Sequence, residues 1–241
     1  MRPVDKGDVP LIEGKIKVVS DHKDWRQDLI DRIGNSCAYC NMNLNDSPQV
    51  EHVSPKSSYP NLALSWDNML LACTPCNRAK SDNSYSQQLH YQPDYHNTHL
   101  AFDYVVVNHP LKPKTLACVP IPADNPYVNK EKARRTIDLL KLDIVVSNTR
   151  ATDLRWKYRY EAYVSAQLWR DSWDKFGKNH PDEFIPLLLD NVKGKGFFSI
   201  WHKVFADISD VCMRLLQVFN GTLTEGFNHH GAPIPLHSDD L

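Results

Sequence analysis

Two Cys-x-x-Cys pairs, Cys37/Cys40 and Cys73/Cys76, constrain this chain more than any other feature. Two thiolates spaced by two residues reach one ion from a single tight turn, and two such turns complete a tetrahedral S4 shell. A shell closed by four sulfurs leaves no coordination position for water or substrate. It therefore predicts a structural Zn²⁺ held by Cys37, Cys40, Cys73 and Cys76, with the chemistry left to whatever the zinc frames. Between the pairs lies Gln-Val-Glu-His-Val, a short β-type run ending on Glu51-His52, then a Pro/Ser-rich loop from Ser54 to Pro60. Asn68 opens a second apolar run, Met-Leu-Leu-Ala. Pro75 suits the first turn of a helix that carries Asn77, Arg78 and Lys80. The expected order is strand, loop, strand, helix, pinned by zinc.

His52 is the one histidine of this framed segment. A neutral imidazole can take a proton from water near neutral pH. Alone it would read as a satisfied core histidine, but Glu51 beside it and Asn68 beyond it favour a functional group. The order Cys-x-x-Cys, Glu-His, Asn, Cys-x-x-Cys-Asn-x-x-Lys over residues 35–85 resembles the HNH endonuclease family. That resemblance implies a ββα-metal fold around one divalent cation, with His52 as general base. It makes Glu51 and Asn77 the ligands of Mg²⁺ or Mn²⁺, and Asn68 the residue that bonds across the loop to steady His52. Many family members have Asp at the first position and His at the last, and Glu51 and Asn77 stand there in this chain. An all-oxygen pair suits a hard ion. Lys56, Arg78 and Lys80 are candidates for holding phosphates, with plain surface cations as the alternative.

The resemblance extends more loosely to the opening Met-Arg-Pro-Val-Asp-Lys-Gly, a lead helix before the first Cys, Glu-His-Val-Ser-Pro-Lys-Ser, and a helical second half. That layout is similar to the HNH nucleases found with retrons and with the Septu anti-phage system (PtuB-like). It implies a DNA substrate and an ATPase partner (PtuA-like) bound through the helical C-terminal region. A retron reverse transcriptase and its non-coding RNA form a further implied setting.

Charge limits how such a chain meets DNA. Net charge is −1, with residues 1–128 carrying 12 Lys/Arg against 14 Asp/Glu and residues 129–241 carrying 16 against 15. A protein that holds DNA by charge alone is usually more basic, so binding is expected to need a local patch, a metal or a partner. No apolar run approaches the ~20 residues of a membrane span. The opening residues lack the apolar core of a signal peptide, and zinc-paired thiols suit a reducing cytoplasm.

Along the chain, residues 1–20 are expected as an extended arm with a short strand at 15–19. A helix from Asp21 or His22 to Ile33 presents Trp25, Leu29, Ile30 and Ile33 at helical spacing and stops at Gly34-Asn35. The His-rich stretch 81–99, with His90, His96 and His99, reads as a surface loop in preference to a second metal site. Ala101–Val107 is expected as a strand, with 116–121 as its partner and Cys118 as a buried apolar residue. A helix over 130–143 opens on Lys130, Lys132, Arg134 and Arg135, read as a solvated face before a phosphate contact. Long helices are expected over 147–176 and 197–219, rich in aromatic residues that would pack a core and dock partners. The tail from Thr222 is expected to be mobile.

The fold class is α+β: a zinc-stabilised ββα-metal (HNH) module followed by a mostly helical C-terminal region. The expected divisions are 1–20 (arm), 21–127 (nuclease domain with zinc knuckle and accessory strands) and 128–241 (helical partner-binding region). Two other readings stay open: a zinc-knuckle module that binds nucleic acid or protein without cutting, and an HNH nuclease acting on RNA.

Overall fold

A computed structural model of the chain describes residues 1–145 and 153–236. The first six residues are not a free arm. Met1, Arg2, Val4 and Lys6 are buried, because Arg2 finds acceptors in the interior. Its guanidinium donates to the carbonyls of Ile33 (2.6 Å), Phe219 (2.9 Å) and Asn220 (2.6 Å) and to the hydroxyl of Thr222 (2.9 Å). A buried cation is tolerated when its donors are filled in this way. Beyond it, β1 (Leu11–Ile12) and β2 (Lys15–Ile16) form a short exposed hairpin.

The lead helix begins where its capping chemistry places it. The Asp21 carboxylate accepts from the Lys23 N–H at 2.8 Å, and Asp24 accepts from the Asp21 N–H at 3.1 Å, a reciprocal capping box. One 3₁₀ turn (His22–Trp25) runs into α1 (Arg26–Ile33), which stops at Gly34 with φ 75°. Trp25, Leu29 and Ile33 are buried behind the knuckle, as their spacing predicts.

The central unit follows the expected order. β3 (Gln49–His52) pairs antiparallel with β4 (Met69–Ala72) in the register Glu51↔Leu70 and His52↔Met69, and α2 (Thr74–Lys80) packs on that pair. After α3 (Thr98–Ala101), a second antiparallel pair joins β5 (Phe102–Asn108) to β6 (Leu116–Pro122), with Cys118 fully buried. The helical part comprises α4 (Lys130–Leu140), α5 (Arg155–Lys175), α6 (Pro181–Lys195), α7 (Phe198–Val204) and α8 (Ser209–Val218). Apolar side chains gather into two clusters, one drawn from residues 1–142 and one from α5–α8 with Cys118 and Phe227. No helix among the described residues is long and apolar enough to cross a membrane.

Several expectations differ from the structure. The helix over 197–219 is two helices, because Arg170 holds the turn between them through the Val204 carbonyl (3.1 Å) and the Asp207 carboxylate (2.9 Å). An unanticipated helix, α6, precedes them and contains Pro186. The start of the helix expected from Ser147 lies outside the described residues. Of the basic residues opening α4, Lys132 is buried beside His96, whereas Lys130, Arg134 and Arg135 pair with nearby carboxylates.

The His-rich stretch and the tail bury each other. His96 and His99 are buried, and Asn97 donates to the carbonyls of Gly226 (2.6 Å) and Ile234 (2.8 Å), docking the segment after Thr222. The His99 ring meets His202 at 4.5 Å between centroids, among Phe198 and Phe227. Burial, reinforced by Lys203, pushes His202 down to about 4, and burial with His202, Lys203 and the Met1 amine holds His99 well below its ordinary value. The unfolded chain takes up these protons below pH ~6.5, whereas folded His202 refuses its own until about pH 4. Stability is therefore whole above that window and falls as pH drops through it, on the order of 3 kcal/mol for His202. Thermal melts from pH 7 down to pH ~4.5 should fall less steeply for His202→Phe than for the parent.

Candidate active site

The four-cysteine cluster is built from turns that bring four sulfurs together. Asn41, at φ 62°, closes the first turn with its N–H on the Cys37 carbonyl (2.8 Å), and the Ala38 N–H ties it to Leu71 of β4 (2.8 Å). Cys73 and Cys76 come from the end of β4 and the first turn of α2. The four Sγ atoms lie within 4.8 Å of one another, all buried. A tetrahedron with Zn–S of about 2.3 Å has edges of about 3.8 Å. The Cys40–Cys73 pair stands at 3.7 Å, far beyond a disulfide bond. The donor set fits one structural zinc.

Arg155, at the start of α5, completes this cluster and has no signal in the sequence spacing. It donates to Cys76 Sγ at 3.1 Å and to the Leu140 carbonyl at 3.0 Å, and Asp153 holds it through paired contacts of 2.7 to 3.0 Å. A cation there offsets the negative charge that four thiolates leave on a divalent ion.

Strand alternation sets the rest of the site. Gln49 and Glu51 face α2 and form two rungs with it. The Asn77 amide donates to Gln49 Oε1 at 2.8 Å, and Lys80 Nζ stands 2.9 Å from Glu51 Oε1. Lys80 is 0% exposed, which corrects its placement as a phosphate contact: it lies under the site as the counter-ion of a buried carboxylate. Its ammonium is close without hydrogen-bond alignment, so the attraction is chiefly ionic. Burial pushes the Glu51 carboxyl up, and Lys80 pulls it back. Glu51 and Asn77 thus lie in one layer, between β3 and α2. One carboxylate and one amide oxygen are donors that suit a hard divalent ion.

His52 occupies the other face of the same strand end, 9% exposed. Its Nε2 lies 3.0 Å from the Ala63 carbonyl. A carbonyl only accepts, so this contact assigns the ring proton to Nε2 and leaves the Nδ1 lone pair as the basic atom. Burial lowers its pKa below the ordinary value, the Ala63 bond opposes this, and Lys56 and Lys80 add to the lowering. The imidazole is neutral at neutral pH. Lys80 is thereby an electrostatic neighbour of both Glu51 and His52.

Asn68 fastens the loop that follows the base. Its Oδ1 accepts from the Ser54 N–H at 2.7 Å, and its Nδ2 donates to the carbonyls of Ser54 (3.0 Å) and Leu62 (3.1 Å). Ala63, the partner of His52, is the residue after Leu62. Lys56 is exposed on this loop within electrostatic reach of His52, and Arg78 is exposed on α2. Sequence reasoning also missed His22, which packs on the His52 ring; its pattern lies before the first cysteine and offers no spacing cue.

Residues 37–83 match the family pattern described as "HNH endonuclease". A stretch of 93 residues is 33% identical to the Septu protein PtuB of Bacillus thuringiensis. The match covers 36% of this chain and 36% of that relative, so the chain aligns with little more than a third of the relative's length. No solved structure matches.

Zinc and Asn68 are separable by experiment. Metal analysis should find one zinc per chain, and Cys73→Ala should lose it together with the cooperative melt, since structural zinc supplies ~10–16 kcal/mol in small peptides. Asn68→Ala should keep the four-cysteine site and expose residues 53–63 to limited proteolysis, because three part-buried backbone groups of Ser54 and Leu62 lose their partner.

Proposed function

We propose that this chain hydrolyses phosphodiester bonds of DNA as the nuclease of an anti-phage defence complex, a reading supported by the match of residues 37–83 to the HNH endonuclease pattern. The observation that carries the reading is the His52 contact with Ala63, which engages Nε2 and leaves Nδ1 as the basic atom beside the four-cysteine cluster's strand pair. His52 takes a proton from water as the oxygen attacks phosphorus, and the 3′ oxygen leaves. Glu51, giving up its ion pair with Lys80, and Asn77 would hold Mg²⁺ or Mn²⁺, which when bound would supply charge relief to the phosphate and the departing oxygen. Asn68 keeps the Ala63 loop in place, so that the ring stays in register with the water. Lys56 and Arg78 are the exposed cations suited to flanking phosphates.

The region over 128–241 serves as the docking part for an ATPase partner in the cytoplasm. Support comes from the PtuB relative, named for the Septu system, and from apolar side chains left exposed on α5 and α6: Leu168, Phe176 and Leu187. The near-neutral charge fits a nuclease whose hold on DNA depends on that partner.

Plasmid nicking with Mg²⁺ or Mn²⁺ tests the reading, run with and without proteins that co-purify from cells. His52→Ala should lose ~10²-fold in rate or more while keeping zinc and melting temperature. Equal rates for parent and His52→Ala would defeat it. Faster cleavage of RNA than of DNA of the same sequence would reassign the substrate.

A further inference from the structure

The proposed base has a neighbour outside residues 37–83. His22, from the 3₁₀ turn ahead of α1, packs on the His52 ring with centroids 4.6 Å apart and planes inclined at 44°. His22 is itself held. Its Nδ1 lies 3.0 Å from Asp21 Oδ1, and the same oxygen accepts from the Lys23 N–H at 2.8 Å. Asp24 in turn grips the Asp21 backbone N–H at 3.1 Å. A capping box therefore fixes Asp21, Asp21 fixes His22, and His22 covers one face of His52.

The geometry supplies something the Ala63 bond cannot. A single hydrogen bond at Nε2 pins one atom of the ring and leaves the ring free to swing about it. A second ring against its face removes that freedom. Proton transfer from a water depends on the direction of the Nδ1 lone pair, and misplacement by about 1 Å costs up to ~10²-fold in rate. The ring contact, together with a capping carboxylate that also holds the outer ring at Nδ1, is the arrangement of a support for a working base.

We propose that His22, oriented by Asp21, is a positioning residue that holds the His52 ring in its working plane. The inference rests on His52 being the base, but its first test does not need catalysis. In the zinc-loaded full chain with ¹⁵N-labelled histidine, the His52 Nε2–H proton, identified by its loss in His52→Ala, should be visible and slow to exchange. His22→Ala should speed that exchange at least tenfold with zinc content and melting temperature unchanged, and His22→Phe, which restores a flat ring, should return it to within threefold of the parent. Should His22→Ala melt early, His22→Gln against His22→Phe carries the same comparison, since Gln lacks the ring. In the nicking assay, His22→Ala should lower kcat by ~10- to 100-fold with KM within twofold, again rescued by Phe.

Unchanged exchange in His22→Ala, or Phe behaving as badly as Ala, overturns the positioning role. A parent chain without nicking activity, or one indifferent to His52→Ala, instead overturns the nuclease reading. The exchange measurement then still decides whether His22 holds the ring.

Discussion

Four buried sulfurs facing one point are the contact on which the rest of the site depends. The strand pair beside them is only four residues long on each side, too short to stand alone in water. A metal held by these sulfurs would tie the turn before β3 to the start of α2, where Gln49 reaches Asn77 and Glu51 reaches Lys80. Arg155 carries the same constraint into the helical half, because its guanidinium touches both a zinc-site sulfur and the end of α4. The platform and the helices are thus joined by charge as well as by apolar packing.

Within that frame, two kinds of group are kept apart by strand geometry. Glu51 and His52 are neighbours in sequence, yet they leave β3 on opposite faces. The carboxylate side is internally neutralised by Lys80, and the imidazole side is walled by Ala63 and His22. Each group keeps a distinct chemical character although only one peptide bond separates them.

Much of the framed unit was legible in the sequence because its signals are local. Cys-x-x-Cys spacing, Gly34 after an apolar periodicity, and Pro75 at a helix start each report on neighbours a few residues away. What stayed hidden is what depends on distant partners. Lys80 reads as a surface cation until Glu51 is seen across from it, and His99 reads as a loop residue until the segment after Thr222 closes over it. The helix over 197–219 fails for the same reason: the turn that divides it is bonded by Arg170, 34 and 37 residues before Val204 and Asp207. Arg155 and His22 act on the site from outside the motif, where pattern reasoning does not look.

The Arg2 contacts have one more implication. A single guanidinium binds the carbonyl that ends α1 and the two carbonyls that follow α8, so the first strand of chain and the last helix share a clasp. The backbone is topologically open but mechanically looped. A pull on residues 1–6 would load the ends of α1 and α8 together through that one side chain.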